Sequence, residues 1–131
     1  MQNLSASAVV QAWQDAANRQ DADQLLALSD TNIELIGPRG SAYGHQILRD
    51  WLNRAGLRLE TLRVFQRGDV VVVAQHGVWR SIETGDVMGK ADIASHFRVA
   101  DGRVVQFARY DSLNQALANT GLVDTDEITQ R

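Results

Sequence analysis

Few residues of this 131-residue chain have the type and spacing to carry chemistry. Glu34 stands between two aliphatics in Ile33-Glu34-Leu35. A carboxyl drawn out of water there acquires a raised pKa and can serve as a general base. Simple alternation gives the opposite arrangement, with Ile33 and Leu35 buried and the carboxylate in water. Arg109 and Asp111 lie two residues apart, so roughly 7 Å along one face of a strand. A guanidinium in that position can hold a carboxylate, enolate or phenolate by charge-assisted hydrogen bonds, or pair with Asp111 or Glu34 instead. An interior arginine must be neutralised by ligand or protein. His45, His76 and His96 lack the spacing of a metal site, and the chain has no cysteine for a thiolate nucleophile, a disulfide or a zinc ligand. Gly37-Pro38-Arg39-Gly40 lacks the Lys-Ser/Thr of a phosphate loop and reads as a lip over a cavity mouth, which Tyr43 could close.

The elements that must position these groups are legible from periodicity. Val9, Val10, Trp13, Ala16 and Ala17 recur at helical spacing behind Ser5 or Ser7 as N-cap. Asp21 and Gln24 resemble a capping box that opens a short helix through Leu28. Asn32 to Ile36 is a short strand. Ile47, Leu48, Trp51 and Leu52 form the stripe of a third helix, opened by His45, a solvated position, and stopped by Gly56. Four strands follow, Leu57–Phe65, Val70–Ser81, Val87–Val99 and Arg103–Tyr110, joined by glycine turns; Asp101-Gly102 is a type I′ signal. The alternation slips by one at Thr61-Leu62, which predicts a bulge. Ser112 to Ala118 reads as a terminal helical turn.

Helices first and antiparallel hairpins after is an α+β pattern. The expected fold is three N-terminal helices packed on a strongly curved, mostly antiparallel sheet, forming a cone with an internal cavity fit for a small ligand. Residues 1–123 form one domain, and the polar stretch 124–131 is expected to fray. Alternation turns Ile93, Ser95, Phe97 and Val99 into the cone with Val105, Phe107, Arg109 and Asp111, and turns His96 and Arg98 out.

This order of elements resembles the nuclear transport factor 2-like superfamily, which includes ketosteroid isomerases, limonene epoxide hydrolases and SnoaL-type polyketide cyclases. The resemblance runs from about Val9 to Leu117. Its carriers are Val9-Val10-Gln11-Ala12-Trp13, Asn18-Arg19-Gln20-Asp21, Tyr43-Gly44-His45-Gln46-Ile47-Leu48 and the hairpin Phe97 to Val105. The resemblance implies that the isomerase's proton-donating tyrosine falls at Trp13, its base at Leu35 or Ile36, and its protonated aspartate at Ser95; none can play those parts. The hydrolase strand motif matches Gln75-His76-Gly77-Val78-Trp79-Arg80, which puts Gln75 where that family has arginine and Gly77 where it has aspartate. Its second aspartate falls at Arg109 and its water-holding pair at Glu34 and Ile36. The phase of Val70–Val73 is ambiguous on its own; this match turns Val73, Gln75 and Trp79 inward and His76 outward.

The candidate site is therefore Glu34 and Arg109 as catalytic pair, Gln75, Ser95 and Asp111 as polar contacts, and Trp13, Trp79, Phe97 and Phe107 as walls. Trp13 with Trp51 has the spacing of core residues, and Trp79 equally suits an outer-face subunit interface. No cofactor or metal is expected. A net charge of −3 argues against nucleic acid, and the longest apolar run, Val70 to Ala74, is too short for a bilayer. With no export signal in Met1-Gln2-Asn3-Leu4, the expected setting is cytoplasmic. The sequence thus reads as a small-molecule pocket protein of the SnoaL-like type, doing acid–base chemistry on a small apolar or anionic molecule or binding it unchanged. The other reading is a non-catalytic homodimeric accessory or interaction domain. A homodimer through the outer sheet face around His76, His96, Arg98 and Gln106 is expected in either case.

Overall fold

A computed structural model describes residues 5–37 and 39–128; Met1 to Leu4 and Pro38 lie outside the described residues. Local chemistry sets each helix end. The Ser5 hydroxyl accepts from the Ala8 amide at 3.2 Å to open α1 (Ala6–Asn18), and Asp21 accepts from the Gln24 amide at 3.1 Å to open α2 (Ala22–Ala27). The chain then runs β1 (Ser29–Gly37), β2 (Gly40–Tyr43), α3 (His45–Ala55), β3 (Leu57–Arg67), β4 (Val70–Arg80), β5 (Val87–Ala100), β6 (Arg103–Tyr110) and α4 (Leu113–Thr120). Seven strands form one sheet in the order β2-β1-β6-β5-β4-β3-β7, in which β1 and β6 run parallel and the other pairs antiparallel. This is the expected α+β fold, with helices packed on a curved sheet.

The expected hairpin and bulge are both present. Asp101 and Gly102 have φ of 54° and 75°, as a type I′ turn demands, and the β3–β4 register shifts between Thr61 and Arg63. Three expectations fail. The loop expected over Gly37–Gly40 is a tight hairpin end, because Gly40–Tyr43, to which no element was assigned, is a strand that pairs back on Glu34–Gly37. Asp124–Asp126 form a 3₁₀ turn and Glu127–Ile128 form β7 on β3, where fraying of 124–131 was expected; residues 129–131 lie outside the described residues. Arg63 and Arg67 hold that segment through Glu127 at 2.8 Å and Asp126 at 2.6 Å. Finally, Val104 is fully buried and Val105 only half, because the β5–β6 register shifts at Arg98/Val99.

Both faces of the sheet are covered. α1 to α3 pack on the inner face, where Trp13, Phe97, Val71 and Val73 belong to the main core. α4 packs on the outer face, where Ala116 and Leu122 cover Phe65, Val72 and Ala94. Val70–Ala74 carries no alternation for that reason: successive side chains enter two different cores. Asn18 fills the open edge of β3 like a short extra strand, accepting from the Leu59 N–H and donating to the Leu59 carbonyl, each at 2.8 Å.

The α3–β3 junction is the tightest point. Gly56 ends α3 at φ +50°, and its carbonyl accepts from the Arg80 N–H at 2.9 Å. A β-carbon there would lie 2.2 Å from the Arg80 carbonyl oxygen. Gly56→Ala is expected to cost more than about 2 kcal/mol, from the left-handed backbone and the backbone clash together. Urea denaturation checks this, and a loss within error of zero contradicts it.

Candidate functional site

The cone is not hollow along its axis. Trp13, with no exposed surface, packs on Trp51, Phe97 and Phe107 at centroid distances of 5.8, 5.3 and 5.0 Å. Its indole N–H donates to Ser29 Oγ at 2.9 Å, and that hydroxyl donates to the Leu25 carbonyl at 2.7 Å. Trp13 and Phe97, expected as cavity walls, are core residues.

Gln75 and Ser95 do face inward, as expected, but they are 0% and 1% exposed and spend their polar atoms on one another. The Ser95 hydroxyl donates to Gln75 Oε1 at 2.7 Å, and Gln75 Nε2 donates to Gln14 Oε1 at 2.6 Å. Gln14 Nε2 passes the chain on to Thr61 Oγ1 at 2.7 Å, beside the β3 bulge. No polar atom in this chain is left to greet a ligand in a buried space: among the described residues every buried side-chain N or O has a partner. Gln14 was not foreseen, since only its placement on α1 against β4 gives it a role.

Glu34 corrects the sequence reading. It lies in register with Gln106 and Arg98, on the outer face. Its carboxylate accepts from Ser41, from Gln106 Nε2 at 2.9 Å and from the Tyr43 hydroxyl at 3.4 Å. The Ser41 and Gln106 hydrogen bonds hold its carboxyl below the ordinary range, where a desolvated base would be raised. Tyr43 is thereby tied to Glu34. His45 is half-buried, not solvated, with Nε2 3.0 Å from the Ser29 carbonyl. His76 faces Asp92 at 2.8 Å and is not adjacent to His96, whose β4 neighbour is Val72. Among the described residues no three His, Cys, Asp or Glu side chains gather as a metal-binding group.

The open space lies to one side. A cleft of about 690 Å³ opens where β1 leaves β6. Its floor is Trp51 and Phe107, with Leu35, Ala42 and Ile47 beside them. Ile47, Trp51 and Arg54 follow i, i+4, i+7 spacing and present one face of α3 to it, while Leu48 and Leu52 turn into the core. Gly37 and Gly40, paired at the end of the β1–β2 hairpin, form the rim. Arg109 and Asp111 complete the mouth, with Tyr110, Gln115 and Asn119 on the far wall. Of the expected residues, then, the cleft gathers Phe107, Arg109 and Asp111, and omits Glu34, Gln75, Ser95, Trp13, Trp79 and Phe97.

Arg109 is exposed, with its guanidinium carbon 5.5 Å from the centre of the half-buried Trp79 ring. Among the described residues neither Arg109 nor Arg54 has a carboxylate within ion-pair distance. The puzzle of an interior charge is resolved: the cation is at the mouth, stacked on an aromatic face and wet. Arg54 was missed because it falls outside the apolar stripe that defines α3, although its position three residues after Trp51 was readable.

A fold of helices on a curved sheet, with an aromatic-floored cleft at its open side, defines a class of small α+β domains. The chain belongs to the SnoaL-like domain family, whose model matches residues 10–107. Solved structures agree in fold. A putative polyketide cyclase from Xanthomonas campestris pv. campestris is 24% identical, with TM-score 0.63 over 86% of this chain and 94% of that one. TerC, co-crystallised with polyporic acid, is 18% identical, with TM-score 0.70 over 89% and 96%. RV0760c from Mycobacterium tuberculosis, solved with estradiol-17beta-hemisuccinate, is 15% identical, with TM-score 0.71 over 83% and 95%. No curated protein matches the chain in sequence.

Two outcomes follow from the polar groups outside the cleft. Gln75→Leu strands Ser95 and Gln14 in a dry core and should cost roughly 2–4 kcal/mol in urea denaturation, without altering ligand affinity of the folded protein. An affinity loss would return Gln75 to the binding site. His96 is held below its ordinary 6.5 by burial and then by Arg98, so the folded protein resists the proton that the unfolded chain takes up. Stability should therefore fall as pH drops from about 7 to about 5, and His96→Gln should flatten that slope. The lowered Glu34 acts in a separate window, its contribution being lost only as pH falls below 4.5. An unchanged slope in His96→Gln denaturation curves contradicts the assignment.

Proposed function

We propose that this protein binds a small, mainly apolar anion in the cleft beside β6. The observation that carries this is a pair of guanidiniums, Arg54 and Arg109, without ion-pair partners among the described residues, at the mouth of a cleft floored by Trp51 and Phe107. The volume, about 690 Å³, is in the range of small-molecule sites. The aromatic floor offers apolar contact and the guanidiniums offer charge-assisted hydrogen bonds, so a carboxylate on a flat hydrophobic body satisfies both. Two structural relatives were solved with ligands named as an acid and a hemisuccinate, which supports this choice of chemistry. Glu34 takes no part in this reading, because its carboxylate is tied to Ser41, Gln106 and Tyr43 on the outer face.

The homodimeric interaction reading is less well supported. The apolar part of the outer sheet face formed by Phe65, Val72 and Ala94 is already covered by α4, which leaves polar rows such as Glu60, His76 and Asp92 and Glu34, Gln106 and Arg98. A dimer through those rows would lack the desolvated apolar centre that stable interfaces have.

The probe for the binding reading is 2-naphthoate. Calorimetric titration should show saturable one-to-one binding, with a matching rise in melting temperature. Arg54→Gln and Arg109→Gln should each weaken it roughly tenfold while leaving the unliganded melting temperature in place. No binding at ~1 mM, or equal binding by 2-naphthol and by both variants, overturns the proposal.

A further inference from the structure

The cleft is not confined to one face of the sheet. Pairing between β1 and β6 ends at Ile36 and Ala108, yet β6 continues to Tyr110 while β1 turns into its hairpin with β2. The two strands thus part, and the cleft passes through the gap. On the helix side it meets Phe107 and Arg109. On the α4 side it meets Ala108 and Tyr110, because Ala108 shares its row with His96 and Val72, and Val72 packs under α4.

The two ends differ in chemistry. At the helix end the free polar groups are guanidiniums. At the α4 end they are neutral, apart from the exposed carboxylate of Asp111 at the mouth. The Tyr110 hydroxyl has no hydrogen-bond partner among the described residues, and its half-buried ring rests against the α4 cluster. Burial pushes its phenol up, so it stays a neutral donor through the physiological range. Gln115 Oε1 accepts from the Asp111 N–H at 3.2 Å, which leaves the Gln115 amide N–H groups to point elsewhere. Asn119 Nδ2 donates to the Gln115 carbonyl at 2.8 Å, which leaves the Asn119 side-chain oxygen as an acceptor. One phenol donor, one amide donor and one amide acceptor suit a hydroxyl or carbonyl, and offer nothing to balance a charge.

We propose that the ligand is a two-ended flat molecule, an aromatic or alicyclic acid whose opposite end carries a hydroxyl or carbonyl, lying through the gap between β1 and β6. Its anionic end meets Arg54 and Arg109, and its neutral end meets Tyr110, Gln115 and Asn119 under α4. This rests on the binding proposed above and adds the second end.

The test compares 6-hydroxy-2-naphthoate with 2-naphthoate by calorimetric titration against wild type, Tyr110→Phe and Asn119→Ala, with circular dichroism melts as folding control. The hydroxyl should improve affinity for wild type roughly tenfold, and Tyr110→Phe and Asn119→Ala should each remove most of that gain while leaving 2-naphthoate binding unchanged. Equal affinity for the two acids, or a hydroxyl gain that survives in both variants, overturns the two-ended ligand while leaving anion binding intact. Failure of both acids to bind wild type overturns the anion site and this inference with it. If one variant fails to melt cooperatively, the other decides by the same comparison.

Discussion

The position of the Trp13 indole governs what the rest of this molecule can do. One ring touches α3 through Trp51, β5 through Phe97 and β6 through Phe107, and its N–H is fixed by Ser29 at the start of β1. Those contacts lie on the axis of the cone, where a curved sheet under helices would otherwise leave room. Burying an aromatic of this size contributes several kcal/mol, on the order of 3–5, and filling the axis removes the central hollow. Ligand space is pushed aside, to the place where β1 and β6 part. The same ring also stiffens that space: Trp51 stacks on Trp13 at 28° with one face and lines the cleft as well, so the floor of the site is part of the core.

Where one side of an element is wet, the sequence described it well. α1 to α3, their caps, the bulge at Thr61 and the Asp101-Gly102 turn all follow from local chemistry, because water on one face imposes a period on the residues. The unread parts are those set by distant partners. β2 is four residues long, and only β1 makes it a strand. The stretch around Glu127 and Ile128 is mostly polar and aperiodic, and Arg63 and Arg67, some sixty residues away, order it through Glu127 and Asp126. The second core under α4 was invisible for a related reason: Val70–Ala74 has no alternation, so its sequence does not say that half of those side chains leave the first core.

The site shows the same division. Phe107, Arg109 and Asp111 were readable because they end a strand, and strand ends on a curved sheet open on a cleft. Gln75 and Ser95 were assigned to the correct face, but a face does not reveal whether a polar group is free. Gln14, on α1, satisfies Gln75, and nothing near residue 75 announces it. For Glu34 the plain alternation of Ile33-Glu34-Leu35 was the better guide: Ile33 is fully buried, and the carboxylate faces away from the helices. Of the donors that lower its pKa, Ser41 and Tyr43 sit on β2, the strand the sequence did not show, and Gln106 sits on β6.

Charge makes the cleft unusual within its own protein. The whole chain has a net charge of −3, yet the mouth carries two arginines against one aspartate. Long-range attraction of an anion is therefore weak, because the molecule as a whole repels it and salt screens what remains beyond about 8 Å. In the proposed binding, selection occurs at contact, where guanidinium forks would meet the anion directly and Trp79 holds one of them ready by stacking. A cation presented on an aromatic face keeps part of its hydration until a ligand arrives, and it needs no protein carboxylate to neutralise it. That explains how an arginine pair persists at the edge of a dry aromatic core without an ion pair: the floor is rigid, the charges are wet, and the two meet only at the rim, where the apolar body of a ligand and its anionic end would be recognised together.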